Sequence, residues 1–215
     1  MKDKDWFRNT TWNEEIEKHF FIKLKRVRDK GMQAQYLNLQ AGALTYTKDA
    51  ELMEVAETLI NKQLQEYSDC ILYMSRAYHL LGDIYGFRGN FNKTLDYYKQ
   101  AINFEAVFPN SITNSFMDYA ELAVKTNRTD LFEDIEKIFA EKRYVSAVLF
   151  PLTKYLKYSI LSIVSKHKND TEKAKYYADL ANRNAEMQQS GLTKNQTLGL
   201  VRERDKILDE LVRKE

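Results

Sequence analysis

Apolar residues return every three or four positions along most of this chain, the period of an amphipathic helix rather than the alternation of a strand. Between Thr11 and Gly31 the stripe is Trp12, Ile16, Phe20, Leu24 and Val27. Thr11 and Glu14 read there as a T-x-x-E capping box and Gly31 as the stop. From Gln33 onward the pattern predicts paired helices. The first pair is 33–46 and 50–67, with Thr47 and Asp49 as turn and cap candidates. The second is 70–88 and 91–105, parted at Gly89. The third is 111–126 and 131–142, with Thr129 or Asp130 as the cap. The fourth is 145–167 and 172–189, and one more helix closes the chain behind a capping box at Thr193 and Gln196.

Composition agrees with an all-α chain. Seven glycines and two prolines in 215 residues leave few places where regular structure must stop. With 44% hydrophobic and 30% charged residues the chain is globular in character. The lone Cys70 leaves no intramolecular disulfide framework and reads as a small buried hydrophobe at a helix start. "MKDKDWFRNTTW" has no apolar segment of the kind a secretory leader needs. "YVSAVLFPLTKYLKYSILSIV" is broken by Pro151, Lys154 and Lys157 and falls short of a membrane span. A cytoplasmic location is therefore expected.

Centring each first helix on its close-packing position gives Gln40, Gly82, Ala120 and Ser159, about 40 residues apart each time. In the second pair Tyr78, Leu81, Gly82 and Tyr85 are followed by Thr94, Tyr98 and Ala101. This spacing resembles the tetratricopeptide repeat, with Tyr78 at the usual Trp and Thr94 and Tyr98 at the usual Ala and Phe. "AKYYADLA" echoes the second half, placing Ala174, Ala178 and Ala181 opposite Thr94, Tyr98 and Ala101. The resemblance implies a right-handed α-solenoid of about four antiparallel helix pairs. An N-terminal segment and basic capping helix would occupy 1–32, the array 33–189 and a C-terminal capping helix 190–215, all as one structural domain.

Chemistry-bearing motifs do not accompany this pattern. No phosphate-cradling glycine loop, G-x-S-x-G elbow or H-E-x-x-H occurs. His79 and Asp83, four apart, offer only two ligands for a metal. Acidic pairs such as Glu14 and Glu15 suit a helix N-terminus. Neither catalytic residues, a cofactor nor a metal is expected.

The resemblance implies that first helices line a concave side that binds a protein or peptide. On the second pair Arg76, His79, Leu80, Asp83 and Phe87 share the face that would look into that groove. The same register predicts Leu37, Asn38, Ala41 and Thr45 on the first pair. It adds Asn114, Met117, Asp118, Glu121 and Lys125 on the third, and Thr153, Leu156, Lys157 and Ile160 on the fourth. Arg76, His79 and Asp83 do not reproduce the Lys/Asn clamp with which one tetratricopeptide subgroup grips a terminal carboxylate, so a chaperone-tail receptor is disfavoured. Lys23, Arg26 and Arg28 form a secondary basic patch on the polar face of their helix. Trp6, Phe7 and Trp12 are expected to fold back as a cap.

The leading expectation is thus a non-enzymatic adaptor or scaffold, monomeric or weakly dimeric, without a membrane partner. A second reading is an immunity- or antitoxin-type protein that neutralises one dedicated partner. A third, RNA binding by a helical repeat, is opposed by a formal net charge of only +2.

Overall fold

The computed structural model of the chain describes residues 5–213, and among these every regular element is helical. By its own contacts the chain divides into two compact units, Met1–Ser115 and Phe116–Glu215. The helix pattern divides the sequence near residues 32 and 189, whereas the contacts divide it one residue into the sixth helix. No described helix is long and apolar enough to cross a membrane.

In the first unit α1 (Glu14–Arg26) starts one cap later than its sequence predicts: Asn13, not Thr11, accepts the Ile16 N–H at 2.9 Å. Asn13 has the extended backbone of an N-cap and lies two residues closer to the helix than Thr11. Gly31 is not the stop. The helix ends at Val27, where the side-chain amide of Gln33 donates to the carbonyls of Leu24 and Val27. Gly31 instead lies in the first turn of α2 (Lys30–Thr45), capped by Asp29.

Asp49 caps α3 (Ala50–Glu66) as expected, accepting from Leu52 N–H at 3.0 Å. A 3-10 turn over Ile71–Tyr73 delays α4 to Met74–Phe87, and Asn90 caps α5 (Phe91–Val107). Leu37, Ala41, Leu44, Ala56, Ile60, Leu80, Leu81 and Ile84 form one buried core between these helices.

α4 and α5 approach closely. A Cβ on Gly82 would stand 2.3 Å from the ring of Tyr98, so only glycine admits that ring. Tyr98 is buried and donates its hydroxyl to Asp83 at 2.9 Å, which fixes the ring where a side chain at position 82 would go. Ala101 is buried one turn further on, and Thr94 meets Gly86. Tyr78 stacks on Phe104 and Tyr97. Tyr85 and Arg88 both donate to Glu57, joining α4 to α3. Burial raises that carboxyl, but these two hydrogen bonds hold it below its ordinary value.

The aromatic N-terminal segment folds back. Trp6 and Phe7 pack against Tyr36, and Trp6 also meets Phe20. Behind them Asn9 and Gln40 exchange three hydrogen bonds of 2.8 to 3.0 Å, satisfying both buried amides.

The second unit holds α6 (Ser115–Lys125), α7 (Phe132–Ala140), α8 (Pro151–His167), α9 (Thr171–Ala185) and α10 (Lys206–Arg213). Tyr119 links α6 to α7 through Asp134 at 3.0 Å. Neither Thr129 nor Asp130 caps α7: both lie in a 3-10 turn, and Asp130 pairs with Arg128. The fourth first-helix begins at Pro151, six residues late, because Lys142–Ala147 forms a 3-10 segment and the proline sits at the first helical turn. Ser159 and Ser162 are buried on α8, and Ser162 donates to the Ala174 carbonyl of α9. Of the three alanines expected along α9, Ala174 and Ala181 are buried and Ala178 is half-buried.

The capping box at Thr193 and Gln196 does not form. Gly191 and Gly199 take left-handed φ of 84° and 70°, which no continuing helix accommodates, and the Gly199 carbonyl accepts from Leu152 N–H at 2.8 Å. The last helix is therefore only α10, capped by Asp205 and packed on α8 through the buried Leu208.

One backbone feature recurs in both units. Lys48, Gly89, Asn127 and Asn169 each take a left-handed φ just after α2, α4, α6 and α8, about 40 residues apart. In three of these turns the next residue, Asp49, Asn90 or Asp170, caps the helix that follows.

Substituting Gly82→Ala is expected to destabilise the chain by about 1–3 kcal/mol, since the ring of Tyr98 must move. In a Tyr98→Ala background the same change should become neutral or stabilising by about 0.5–1 kcal/mol, the ordinary helical preference of Ala over Gly. Urea unfolding of the four proteins tests this. Equal costs in both backgrounds would contradict the close approach.

Candidate partner-binding site

Between the consecutive first helices α2 and α4 the first unit holds a cavity of about 360 Å³, mostly apolar in its lining. Leu39, Gly42 and Ala43 make its α2 wall. Tyr46 stands at the end of that helix, Tyr73 and Arg76 come from the start of α4, and Arg8 reaches in from the N-terminal segment. Gly42 lies against α4 here: a Cβ on it would make ordinary contact with Arg76 and Leu80 at 3.5 to 3.8 Å. Arg76 lies over the ring of Tyr46, 5.6 Å from its centroid, and donates to its hydroxyl at 2.5 Å. Asn38, also in the lining and 4% exposed, donates to the Tyr73 carbonyl at 2.9 Å, while its Oδ1 has no hydrogen-bond partner.

Of the residues expected on the α2 face, only Asn38 reaches this cavity. Leu37, Ala41 and Thr45 are buried in the core, as is Leu80 on α4. The spacing places Gln40 at the close-packing position between paired helices, whereas its amide is matched to Asn9, and the α2 face is rotated accordingly. The stripe that lines the cavity is Gln35, Leu39, Gly42 and Tyr46, whose spacing of three and four is visible in the sequence once that register is released.

His79 and Asp83 are not presented as a groove surface. His79 is 5% exposed, with Nε2 3.4 Å from Asp83 Oδ2 and Nδ1 2.9 Å from Ser115 Oγ. The order carboxylate, imidazole, hydroxyl has the sequence of a nucleophilic triad. Ser115, however, is fully buried, and its hydroxyl also lies 2.7 Å from Thr113, which donates in turn to Glu105. The hydroxyl and the imidazole are thus buried in a polar network, and Asp83 at its edge is half-buried. Phe87 is exposed at the end of α4, and Asn114 is exposed before α6.

In the second unit Asp118 is half-buried, and Lys125 is bound to Glu121 and Asp205 at 2.6 and 2.5 Å. Burial works against the Lys125 ammonium, but these two carboxylates raise its affinity for the proton above the ordinary value. Lys157 donates to the Phe139 carbonyl at 3.0 Å and is pushed down by burial alone. Of the secondary patch, Arg26 and Arg28 are exposed and Lys23 is half-buried.

Two further cavities differ from the first in charge. One of about 370 Å³ between α1 and α3 is bordered by Lys62 with its partner Glu66. The other, about 550 Å³ beside α8 and α10, contains Tyr155, Arg204 and Asp205. Arg204 there binds Asp209, and Tyr155 donates to Asp209 at 2.9 Å. Compared with known proteins, the chain matches no family model, no curated protein and no solved structure.

Burial first, then the Asp209 carboxylate, pushes Tyr155 up to about 12. An unfolded tyrosine ionises near about 10. The folded state keeps this proton after the unfolded state has released it, so the contribution to stability is complete below about pH 10 and is lost as pH rises toward about 12. Tyr155→Phe has no phenol to ionise. Its urea midpoint should therefore fall less steeply than the wild type's between about pH 9.5 and 11, with a constant cost of about 1 kcal/mol at neutral pH for the lost hydrogen bond. Parallel alkaline limbs would show that Tyr155 does not carry the effect. A residual slope in the variant is expected from Tyr119, raised by burial and by Asp134.

Proposed function

We propose that this chain is a non-enzymatic protein-interaction module of tetratricopeptide type, a right-handed stack of helix pairs whose first helices bind a protein or peptide. The observation that carries the reading is the cavity between α2 and α4. A mostly apolar recess with a few polar groups, lying between the first helices of consecutive pairs, has the composition of a site that takes an anchor side chain from a partner. The adjacent pairs α2 with α3, α4 with α5 and α8 with α9 support the architecture, as does the ring of Tyr98 seated on Gly82. The recurring left-handed turn residue supports it further.

A binding site of this kind is built from surface that folding leaves uncovered, so filling it should abolish binding without unfolding the chain. Ala43 lines the cavity from a half-buried position outside the core. Ala43→Trp is expected to leave the urea midpoint nearly unchanged. It should remove the protein partner recovered by affinity capture with the wild-type chain and identified by mass spectrometry. Recovery of the same partners at the same yield by both forms would refute the α2–α4 face as the binding site.

A further inference from the structure

Some of the cations that border a cavity in this protein are neutralised by the chain itself. Lys62 beside the α1–α3 cavity meets Glu66, and Arg204 beside the α8–α10 cavity meets Asp209. Arg88, on the outer end of α4, meets Glu57. The other two cavities carry carboxylates in their lining, and the α2–α4 cavity differs from both. No Asp or Glu lines it, and it takes in two guanidiniums, those of Arg8 and Arg76.

Among the described residues Arg76 has no carboxylate within ion-pair distance: its hydrogen bond and its ring contact both go to the neutral Tyr46. Arg8 has a single long contact, 3.9 Å, to the exposed Asp5, and otherwise lies over Phe7. Two positive charges thus border one apolar recess, Arg76 with no carboxylate partner and Arg8 with only the long contact to the exposed Asp5. A guanidinium fixed in this way presents a fork of donors matched to a carboxylate.

From this we infer that the occupant of the α2–α4 cavity is an acidic peptide segment, one of whose Asp or Glu side chains is bound by Arg76 and Arg8 while its neighbour fills the apolar recess. The inference rests on the proposed binding role and narrows it to a ligand chemistry. The recess volume suits one or two side chains. Nucleic acid fits less well, because a phosphate backbone calls for an extended basic track and this site offers two charges around an apolar centre.

The test uses the full chain and immobilised sets of short peptides, randomised except for a fixed central residue: Glu, Gln, Lys or phosphoserine. Capture by the Glu set should exceed capture by the Gln set about tenfold, and Arg76→Gln should remove that preference. Arg8→Gln, a change at an exposed side chain, provides a second variant that does not depend on Arg76 for folding. It should reduce the preference severalfold.

Equal capture of the Glu and Gln sets, unaltered by either variant, overturns the carboxylate while leaving peptide binding standing. Preference for phosphoserine, or displacement of the Glu set by single-stranded RNA at low salt, overturns the choice of an acidic peptide in favour of a phosphate. Failure to capture any set removes both this inference and the binding reading on which it stands.

Discussion

Two helices lie only as close as the atoms between them permit, and in this protein that limit is set at Gly82. With no Cβ there, the ring of Tyr98 occupies the volume that a side chain would take. The hydroxyl of Tyr98 then reaches Asp83, next to Gly82 on α4, so the ring is held both by packing and by a hydrogen bond. The seating of α5 on α4 sets the face that α4 turns toward α2 and α3. Leu80, Leu81 and Ile84 enter the core on that face, while Tyr85 and Arg88 reach Glu57. The α8 and α9 pair solves the corresponding problem differently, with buried serines on one helix and alanines on the other.

Reversal of the chain between paired helices takes a single left-handed residue. Only one of the four, Gly89, is a glycine, and two are asparagines, whose short side chains tolerate that region of backbone space. Lys48 is the costly case. The Thr47 hydroxyl holds the end of α2 through the Leu44 carbonyl and also accepts the Asp49 N–H, so the strained residue lies inside a turn already tied on both sides.

Much of this was legible in the sequence because helical period and turn chemistry are local. The succession of paired helices from residue 33 onward, the Asp49 cap and the close-packing position at Gly82 all follow from spacing of residue types. What was missed depended on contacts distant in sequence. Gln40 looked like a packing position because nothing in its neighbourhood announces Asn9, 31 residues earlier, as its partner. Misplacing Gln40 rotated the expected face of α2 and put Leu37, Ala41 and Thr45 in a groove instead of the core. The last helix was overextended because Thr193 and Gln196 satisfy a cap motif locally, while the lock of Gly199 against Phe150 lies some 50 residues away in the chain, a separation that no window of helical period spans. Arg8, Gly42 and Tyr73 were likewise overlooked as a group, since the cavity that unites them joins three segments.

The way Arg76 is held has a kinetic consequence. A guanidinium already paired with a carboxylate must exchange that partner before it can take another, and the rupture adds a barrier to association. Arg76 is steadied by a phenol and an aromatic face, neither of which carries charge to be displaced. An anion of the kind proposed would meet a donor that is already oriented, and its arrival rate would be governed by diffusion and ionic strength. Differences between competing anions would then reside in how slowly each one leaves.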